Sequence, residues 1–254
     1  EKDSQEIDIM AAGTAMRFLT AYLSVIPGSD KIITGSQRMK KRPIKIVVDA
    51  LRALGADITY VNEEGFPPLQ IKGKLLTGSS INIPGSVSSQ YISALMMIGA
   101  TLTNGLVLTL TGEIISRPYI NLTMELMKQF GAEIYWKDDN CIIIESSKYK
   151  SMPFYIENDW SAASYWYQIA TLSEKAKIVM PKLFANSLQG DSKVAELFTQ
   201  LGVQTEYGDE SVTIIKEGEI VKEFNYNFVN QPDLAQTFVV TCSLMNIPFK
   251  FTGL

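Results

Sequence analysis

Thr14, Ser88-Ser89, Asp159-Trp160-Ser161 and Asp233 each open a small-residue-rich apolar stretch. Ser, Thr and Asp satisfy the orphan amides of a helix start, so any one of them reads as an N-cap. Four at matching places would gather helix N-termini on one side of the molecule, a surface of N–H groups and partial positive charge suited to anions. The basic residues point the same way. Ser36-Gln37-Arg38-Met39-Lys40-Lys41-Arg42-Pro43 sets Arg38, Lys40, Lys41 and Arg42 just before a helix. Cations there oppose the helix dipole, so the cluster is either a solvated loop or a place where an anion sits among the charges. Arg17 lies inside an otherwise apolar stretch, where a charge is costly without a partner. Arg117, the counterpart of Arg42 one repeat later, is an anion contact or a surface residue. Asp233, after Asn230-Gln231-Pro232, reads by spacing alone as a cap; in a functional role it would be the general base for a hydroxyl.

Two absences narrow the chemistry. The histidine count is 0, which removes the usual neutral-pH base, any Ser-His-Asp triad and every His-ligated metal site. Proton transfer then falls to carboxylate, Lys, Tyr or the substrate. Cys141 and Cys242 have no local partner and fit buried thiols of a reducing compartment, hence a cytoplasmic location. With 23 basic and 27 acidic residues the net charge is −4, which gives no reason to expect a nucleic-acid backbone as partner. At 46% apolar and 20% charged over 254 residues, the composition is that of a globular chain of one large or two small domains. No apolar run approaches the ~20 residues of a membrane span, and Glu1-Lys2-Asp3-Ser4 is not a signal peptide.

The elements that must position these residues repeat. Amphipathic helices are predicted over Pro43–Gly55, Pro118–Gly131 and Asp191–Gly202, each closed by a glycine suited to a left-handed cap. A second, nearly all-apolar helix precedes each and occurs four times, near Gly13–Leu23, Ser88–Ile98, Trp160–Ala170 and Asp233–Ser243. Each is followed by a short strand: Lys31–Thr34, Leu106–Leu110, Lys177–Met180 and Phe249–Thr252. Three more strands follow each closing glycine. They are Ala56–Val61, Leu69–Lys72 and Ser80–Ile83; Ala132–Trp136, Cys141–Glu145 and Phe154–Ile156; and Val203–Tyr207, Ser211–Lys216 and Phe224–Phe228. The result is an α+β chain of repeated βαβαββ units, about three and a half of them. The last stops after its first helix and strand, which predicts a fragment of something longer, because a part-built unit leaves apolar surface and strand edges uncovered.

At these residues the sequence resembles the 5-enolpyruvylshikimate-3-phosphate synthase family. The matching stretches are Ala12-Gly13-Thr14-Ala15-Met16-Arg17, Arg38-Met39-Lys40-Lys41-Arg42-Pro43-Ile44 and Gly85-Ser86-Val87-Ser88-Ser89-Gln90-Tyr91. They continue with Ser116-Arg117-Pro118-Tyr119-Ile120, Asp159-Trp160-Ser161-Ala162-Ala163-Ser164-Tyr165, Asn186-Ser187-Leu188-Gln189-Gly190-Asp191 and Pro232-Asp233, in the family's order. The resemblance implies an α/β prism of the enolpyruvyl transferase type, with residues 1–157 in a first domain, 158–254 in a second, and the active site in the cleft between domains. It implies transfer of the enolpyruvyl group of phosphoenolpyruvate to the 5-hydroxyl of shikimate 3-phosphate, through a tetrahedral intermediate, without metal or organic cofactor. By motif, Ser88, Ser89, Gln90, Ser116, Tyr119 and Asp233 would hold shikimate 3-phosphate. Gly13, Arg42 and Gln90 would contact phosphoenolpyruvate, and Asp233 would be the catalytic base. A monomer is expected for the full-length enzyme, with inactivity for this stretch alone, and neither nucleic acid nor membrane as partner. The chain departs from the family pattern at Ala11 and Phe18, both beside the expected phosphoenolpyruvate pocket. Two alternatives are a UDP-N-acetylglucosamine enolpyruvyl transferase, whose usual loop Cys is missing from residues 18–45, and a non-catalytic anion-binding module.

Overall fold

The computed structural model describes residues 5–254; Glu1-Lys2-Asp3-Ser4, read above as no signal peptide, lie outside the described residues. The first module runs β1 (Glu6–Asp8), α1 (Gly13–Ser24), β2 (Asp30–Thr34), α2 (Lys45–Ala53), β3 (Asp57–Tyr60), β4 (Leu69–Lys72) and β5 (Ser80–Pro84). The second runs α3 (Ser89–Gly99), β6 (Leu106–Thr111), α4 (Arg117–Gln129), β7 (Ile134–Trp136) and β8 (Cys141–Ile144). The third is α5 (Trp160–Leu172), β9 (Lys177–Pro181), α6 (Val194–Thr199), β10 (Leu201–Tyr207), β11 (Ser211–Ile220) and β12 (Phe224–Asn227). Then come α7 (Ala235–Leu244) and β13 (Phe249–Thr252). Among the described residues no helix is long and apolar enough to cross a membrane.

The repetition extends to strand pairing. Two four-stranded sheets have the same layout, β1-β2-β4-β3 and β5-β6-β8-β7, each with one parallel pair followed by antiparallel ones. In the second, β5, the last strand of one module, runs parallel beside β6, the first strand of the next, as β12 does beside β13. The reason is the buried helix between them: a helical crossover returns the chain parallel to where it left. Helix ends repeat too. Gly55 and Gly131 have φ of +95° and +90°, and the following amides, Ala56 and Ala132, reach back to Leu51 and Met127 oxygens at 2.9 Å in both cases. That is a Schellman closure, which needs a residue without Cβ at the left-handed position.

The third module is less regular. Its amphipathic helix is shortened to α6 behind a 3₁₀ turn at Gly190–Lys193, and Gly202 falls inside β10 at an irregularity of the ladder. The strand expected at Phe154–Ile156 does not form. By the repeat it should lie along the edge of β9 opposite β11, as β1 and β5 lie along β2 and β6. Pro153 has no amide to donate, and the backbone instead delivers Asn158 to the end of β9, where its amide donates to Lys182 oxygen at 2.8 Å. Tyr155 is exposed and packs edge-on against Phe184.

The chain divides into two compact units, Glu1–Ile115 with Thr123–Met152, and Ser116–Leu122 with Pro153–Leu254. The core of the first is aliphatic: Ile33, Leu51, Leu69, Ile71, Ile92, Leu95, Leu108 and Ile142 are fully buried. The second is aromatic, with Phe238 at its centre and the rings of Phe198, Phe224 and Phe228 at 4.6, 5.2 and 5.6 Å.

Candidate anion-binding and active site

In the first unit the residues singled out from the sequence come together. The helix α1 begins at Gly13 behind Ala12, which offers no side-chain cap, so the amides of the first turn keep their outward partial charge. Thr14 does not cap either; its hydroxyl accepts from Gln90 Nε2 at 3.0 Å, which ties the start of α1 to the start of α3. Ser88 is the residue before α3 and makes no capping bond; it is exposed, and Ser89 and Gln90 follow half-buried in the first turn. Two neighbouring helix starts thus present hydroxyls and amides that no capping interaction uses.

Arginines close the same spot. A Cβ built on Gly13 would lie 2.5 Å from Nη1 of Arg17 and 2.5 Å from Nη1 of Arg42. Arg42 arrives from the basic segment, whose entry is fixed by the amide of Ser36 donating to Met10 oxygen at 2.8 Å and by the burial of Met39. Of the other cations there, Arg38 and Lys41 are exposed and Lys40 is half-buried. Arg17 is only 8% exposed, its Nε has no hydrogen-bond partner, and among the described residues no carboxylate pairs with it. Its guanidinium lies over the Tyr91 ring, 5.2 Å from the centroid. A desolvated cation lacking a carboxylate partner, a second guanidinium beside it and an uncapped helix start make a place for an anion bearing at least one charge.

The second unit assembles another polar group. Helices α5 and α7 run side by side in register, since Ser164 and Thr237 hydroxyls meet at 2.9 Å and Gln168 reaches Thr241 at 3.1 Å. Their starts therefore lie together. Asp159 is a true cap, accepting from the amide of Ser161 at 2.8 Å. Asp233 is not: α7 starts at Ala235 after a 3₁₀ turn, with no side-chain cap, and the Asp233 carboxylate stays exposed. The capping function read from spacing alone is thus absent at all three: at Thr14 and Asp233 because the helices begin one or two residues away from where a cap would need them, and at Ser88, which does stand at the cap position, because its hydroxyl makes no capping bond.

Asp191, buried at 1% exposure, links the polar residues of this unit. Ser161 Oγ donates to its Oδ2 at 2.5 Å. Burial raises the Asp191 carboxyl above the usual carboxylate range; the Ser161 hydroxyl bonded to it and the nearby Tyr119 phenol oppose this, and the charges of Asp233 and Asp159 add to it. Burial likewise pushes the Tyr119 phenol far above its ordinary value, and the nearby Asp191 and Asp233 charges reinforce that. Tyr119 therefore remains a proton donor at any physiological pH. Ser116, which begins this segment, is 7% exposed at a positive φ of 55°; its amide donates to Val229 oxygen at 2.8 Å and its oxygen accepts from Tyr119 amide at 3.0 Å. That left-handed backbone in a non-glycine residue is held by surrounding bonds.

Gly13, Gln90 and Arg42 thus meet in the first unit, next to Ser88 and Ser89, while in the second Tyr119 and Asp233 lie near Asp191 and Ser116 is joined to Tyr119 through the backbone. Asp191 and Tyr91 were not singled out by sequence reasoning. The signal for Asp191 was an acidic residue opening a third helix, indistinguishable in one sequence from a cap.

Residues 1–254 match the family model described as EPSP synthase (3-phosphoshikimate 1-carboxyvinyltransferase). Two proteins of Bacteroides fragilis strains with the name 3-phosphoshikimate 1-carboxyvinyltransferase are 60% identical over 251 residues, 99% of this chain and 61% of theirs. One so named from Sulfurovum sp. is 37% identical over 242 residues, 94% of this chain and 56% of its own. Among solved structures, EPSP synthase from Acinetobacter baumannii aligns with a TM-score of 0.73 at 22% identity, covering 94% of this chain and 54% of that one, a likeness of fold. The chain spans 61% or less of the length of these relatives.

Proposed function

This chain belongs to the EPSP synthase family, and on that premise we propose that the protein transfers the enolpyruvyl group of phosphoenolpyruvate to the 5-hydroxyl of shikimate 3-phosphate, releasing phosphate, as a step of aromatic amino acid biosynthesis. The observation that carries this reading is the pair of guanidiniums, Arg17 and Arg42, over the uncapped start of α1 at Gly13. Phosphoenolpyruvate carries carboxylate and phosphate, and a buried cation with no protein counter-ion gains most from such a ligand. Gly13, Arg42 and Gln90 contact phosphoenolpyruvate in this reading. Ser88, Ser89, Gln90, Ser116 and Tyr119 bind shikimate 3-phosphate. Asp233 receives the proton of the 5-hydroxyl as the hydroxyl oxygen bonds to C2 of phosphoenolpyruvate and C3 takes up a proton, giving the tetrahedral intermediate; C3 then gives up a proton as the bond from C2 to the phosphate oxygen breaks, and positive charge held near the phosphate stabilises its departure. The relatives' shared name favours this over the UDP-N-acetylglucosamine alternative.

Titration of the chain with shikimate 3-phosphate and, separately, with inorganic phosphate tests the assignment. Tighter binding of shikimate 3-phosphate, lost in Ser89→Ala or Gln90→Ala, is the expected result. Equal affinity for the two, indifferent to both substitutions, would leave a generic anion binder. In the intact enzyme, Asp233→Asn lowers kcat by about 100- to 10,000-fold if it is the base.

A further inference from the structure

We propose that Tyr91 is a positioning residue that makes a single anion clamp of Arg17 and Arg42; this rests on the anion-binding reading of Gly13 above. Tyr91 is 7% exposed and acts with both ends of its side chain. Its ring face carries the Arg17 guanidinium, 5.2 Å from the centroid. Its hydroxyl donates to the carbonyl of Pro43 at 2.6 Å, across 48 residues of sequence. Pro43 follows Arg42 directly, and a residue before proline is confined to extended backbone; Arg42 accordingly has φ −91° and ψ 123°. The amide of Arg42 is fixed as well, donating to Met39 oxygen at 3.0 Å. The Tyr91 bond therefore completes the immobilisation of the backbone from which the Arg42 side chain extends.

The need for such a device follows from charge. Two guanidiniums with nitrogens 2.5 Å from the same point repel each other until an anion arrives. Without restraint Arg42, which is exposed, would swing into solvent, and each binding event would have to order it again. The quadrupole of the Tyr91 ring holds Arg17 in the absence of any carboxylate partner. Tyr91 touches neither reacting atom in this reading; it acts through the two arginines.

The experiment measures dissociation constants of phosphoenolpyruvate and of inorganic phosphate for the unsubstituted chain, Tyr91→Phe, Tyr91→Leu, Arg42→Met and the double variant Tyr91→Phe with Arg42→Met. Tyr91→Phe keeps the ring and loses one hydrogen bond, so affinity should fall roughly fivefold. Tyr91→Leu also loses the cation–π contact and should lose roughly a further two- to thirtyfold. On the Arg42→Met background Tyr91→Phe should have no added effect, because the residue it positions is gone; a purely structural tyrosine would weaken binding on both backgrounds alike. If Tyr91→Leu does not fold, the Tyr91→Phe cycle carries the test by itself. Unchanged affinity in Tyr91→Phe, with binding lost in Arg42→Met, overturns the positioning role and leaves the proposed function standing. If neither anion binds the unsubstituted chain, the functional reading falls and this proposal with it.

Discussion

Gly13 shows how one missing methyl shapes a site. The atoms a Cβ would meet there are the far ends of two flexible side chains, so Gly13→Ala should fold normally, and Ala favours the first turn of α1. What it displaces is the arginine pair. Phosphoenolpyruvate affinity should drop about 10- to 100-fold, the worth of one charge-assisted bond, with thermal stability unchanged or slightly higher; calorimetric titration beside a melting curve separates the two effects. Asp191 gives a prediction of opposite kind. Its carboxyl is raised by burial, so the stability it contributes is full below the ordinary carboxylate range and is lost as pH rises through its elevated native value. Asp191→Asn removes that loss while keeping an oxygen for Ser161. It should melt a few degrees higher than the parent at neutral pH and together with it in acid. A variant that melts lower at neutral pH would mean that the bond from Ser161 and the nearness of the Tyr119 phenol outweigh desolvation. Because Asp191 also holds Ser161 and lies near Tyr119, any gain in stability is expected, on the proposed function, to cost shikimate 3-phosphate affinity.

Elements translate these side chains into register. Gly55 sits at φ +95° with open space where a side chain would go, its nearest neighbour being Leu76 at 4.0 Å. Gly55→Ala therefore isolates the cost of left-handed backbone, about 1–2 kcal/mol, and should lower the unfolding free energy in urea by that amount, while Gly55→Asn should recover part of it. This closure was legible in the sequence because glycine and the apolar residues one and four before it recur together. Strand Leu69–Lys72 was legible to the residue because alternation and flanking turns agree. Phe154–Ile156 looks equally strand-like, yet strand formation is settled by a partner edge, and periodicity carries no information about where the chain must travel next. Helix starts failed for a related reason. Thr14, Ser88 and Asp233 have the right side chains for capping, but the helix starts one or two residues off at Thr14 and Asp233, Ser88 stands at the cap position without making the bond, and of the four only Asp159 caps. The side chains that cap nothing are not consumed by the helix ends, which is what the proposed site asks of them, so the misreading of the element and the reading of the site turn on the same feature. Arg42 was readable as a cation out of place; its partnership with Arg17 across 25 residues of chain was visible only as two separate costs.

At the scale of the molecule, one module has been used to fill two differently built cores, aliphatic in the first unit and aromatic in the second. The difference follows from where large rings were placed on the same scaffold: Phe198 on α6, Phe224 on β12 and Phe238 on α7 converge, whereas the first unit has Leu, Ile and Val at its buried helix and strand positions. Aromatic packing of this kind concentrates stability in a few side chains, and α7 carries the central one. Phe238→Ala should therefore cost about 3–5 kcal/mol, of which little can be recovered by collapse, since Phe198, Phe224 and Phe228 are themselves fully buried. Hydrogen exchange followed by mass spectrometry localises the effect. Protection should fall first in α5, α6 and α7, whose packing passes through that ring, and the paired starts of α5 and α7 around Asp191 should loosen with it. On the proposed function, shikimate 3-phosphate affinity would then decline in step with exchange in α7, while phosphoenolpyruvate affinity, assigned there to Arg17, Arg42 and Gly13 on an aliphatic core of their own, should hold. Loss of both affinities together at temperatures below the melting transition would mean that the two cores do not support their sites separately.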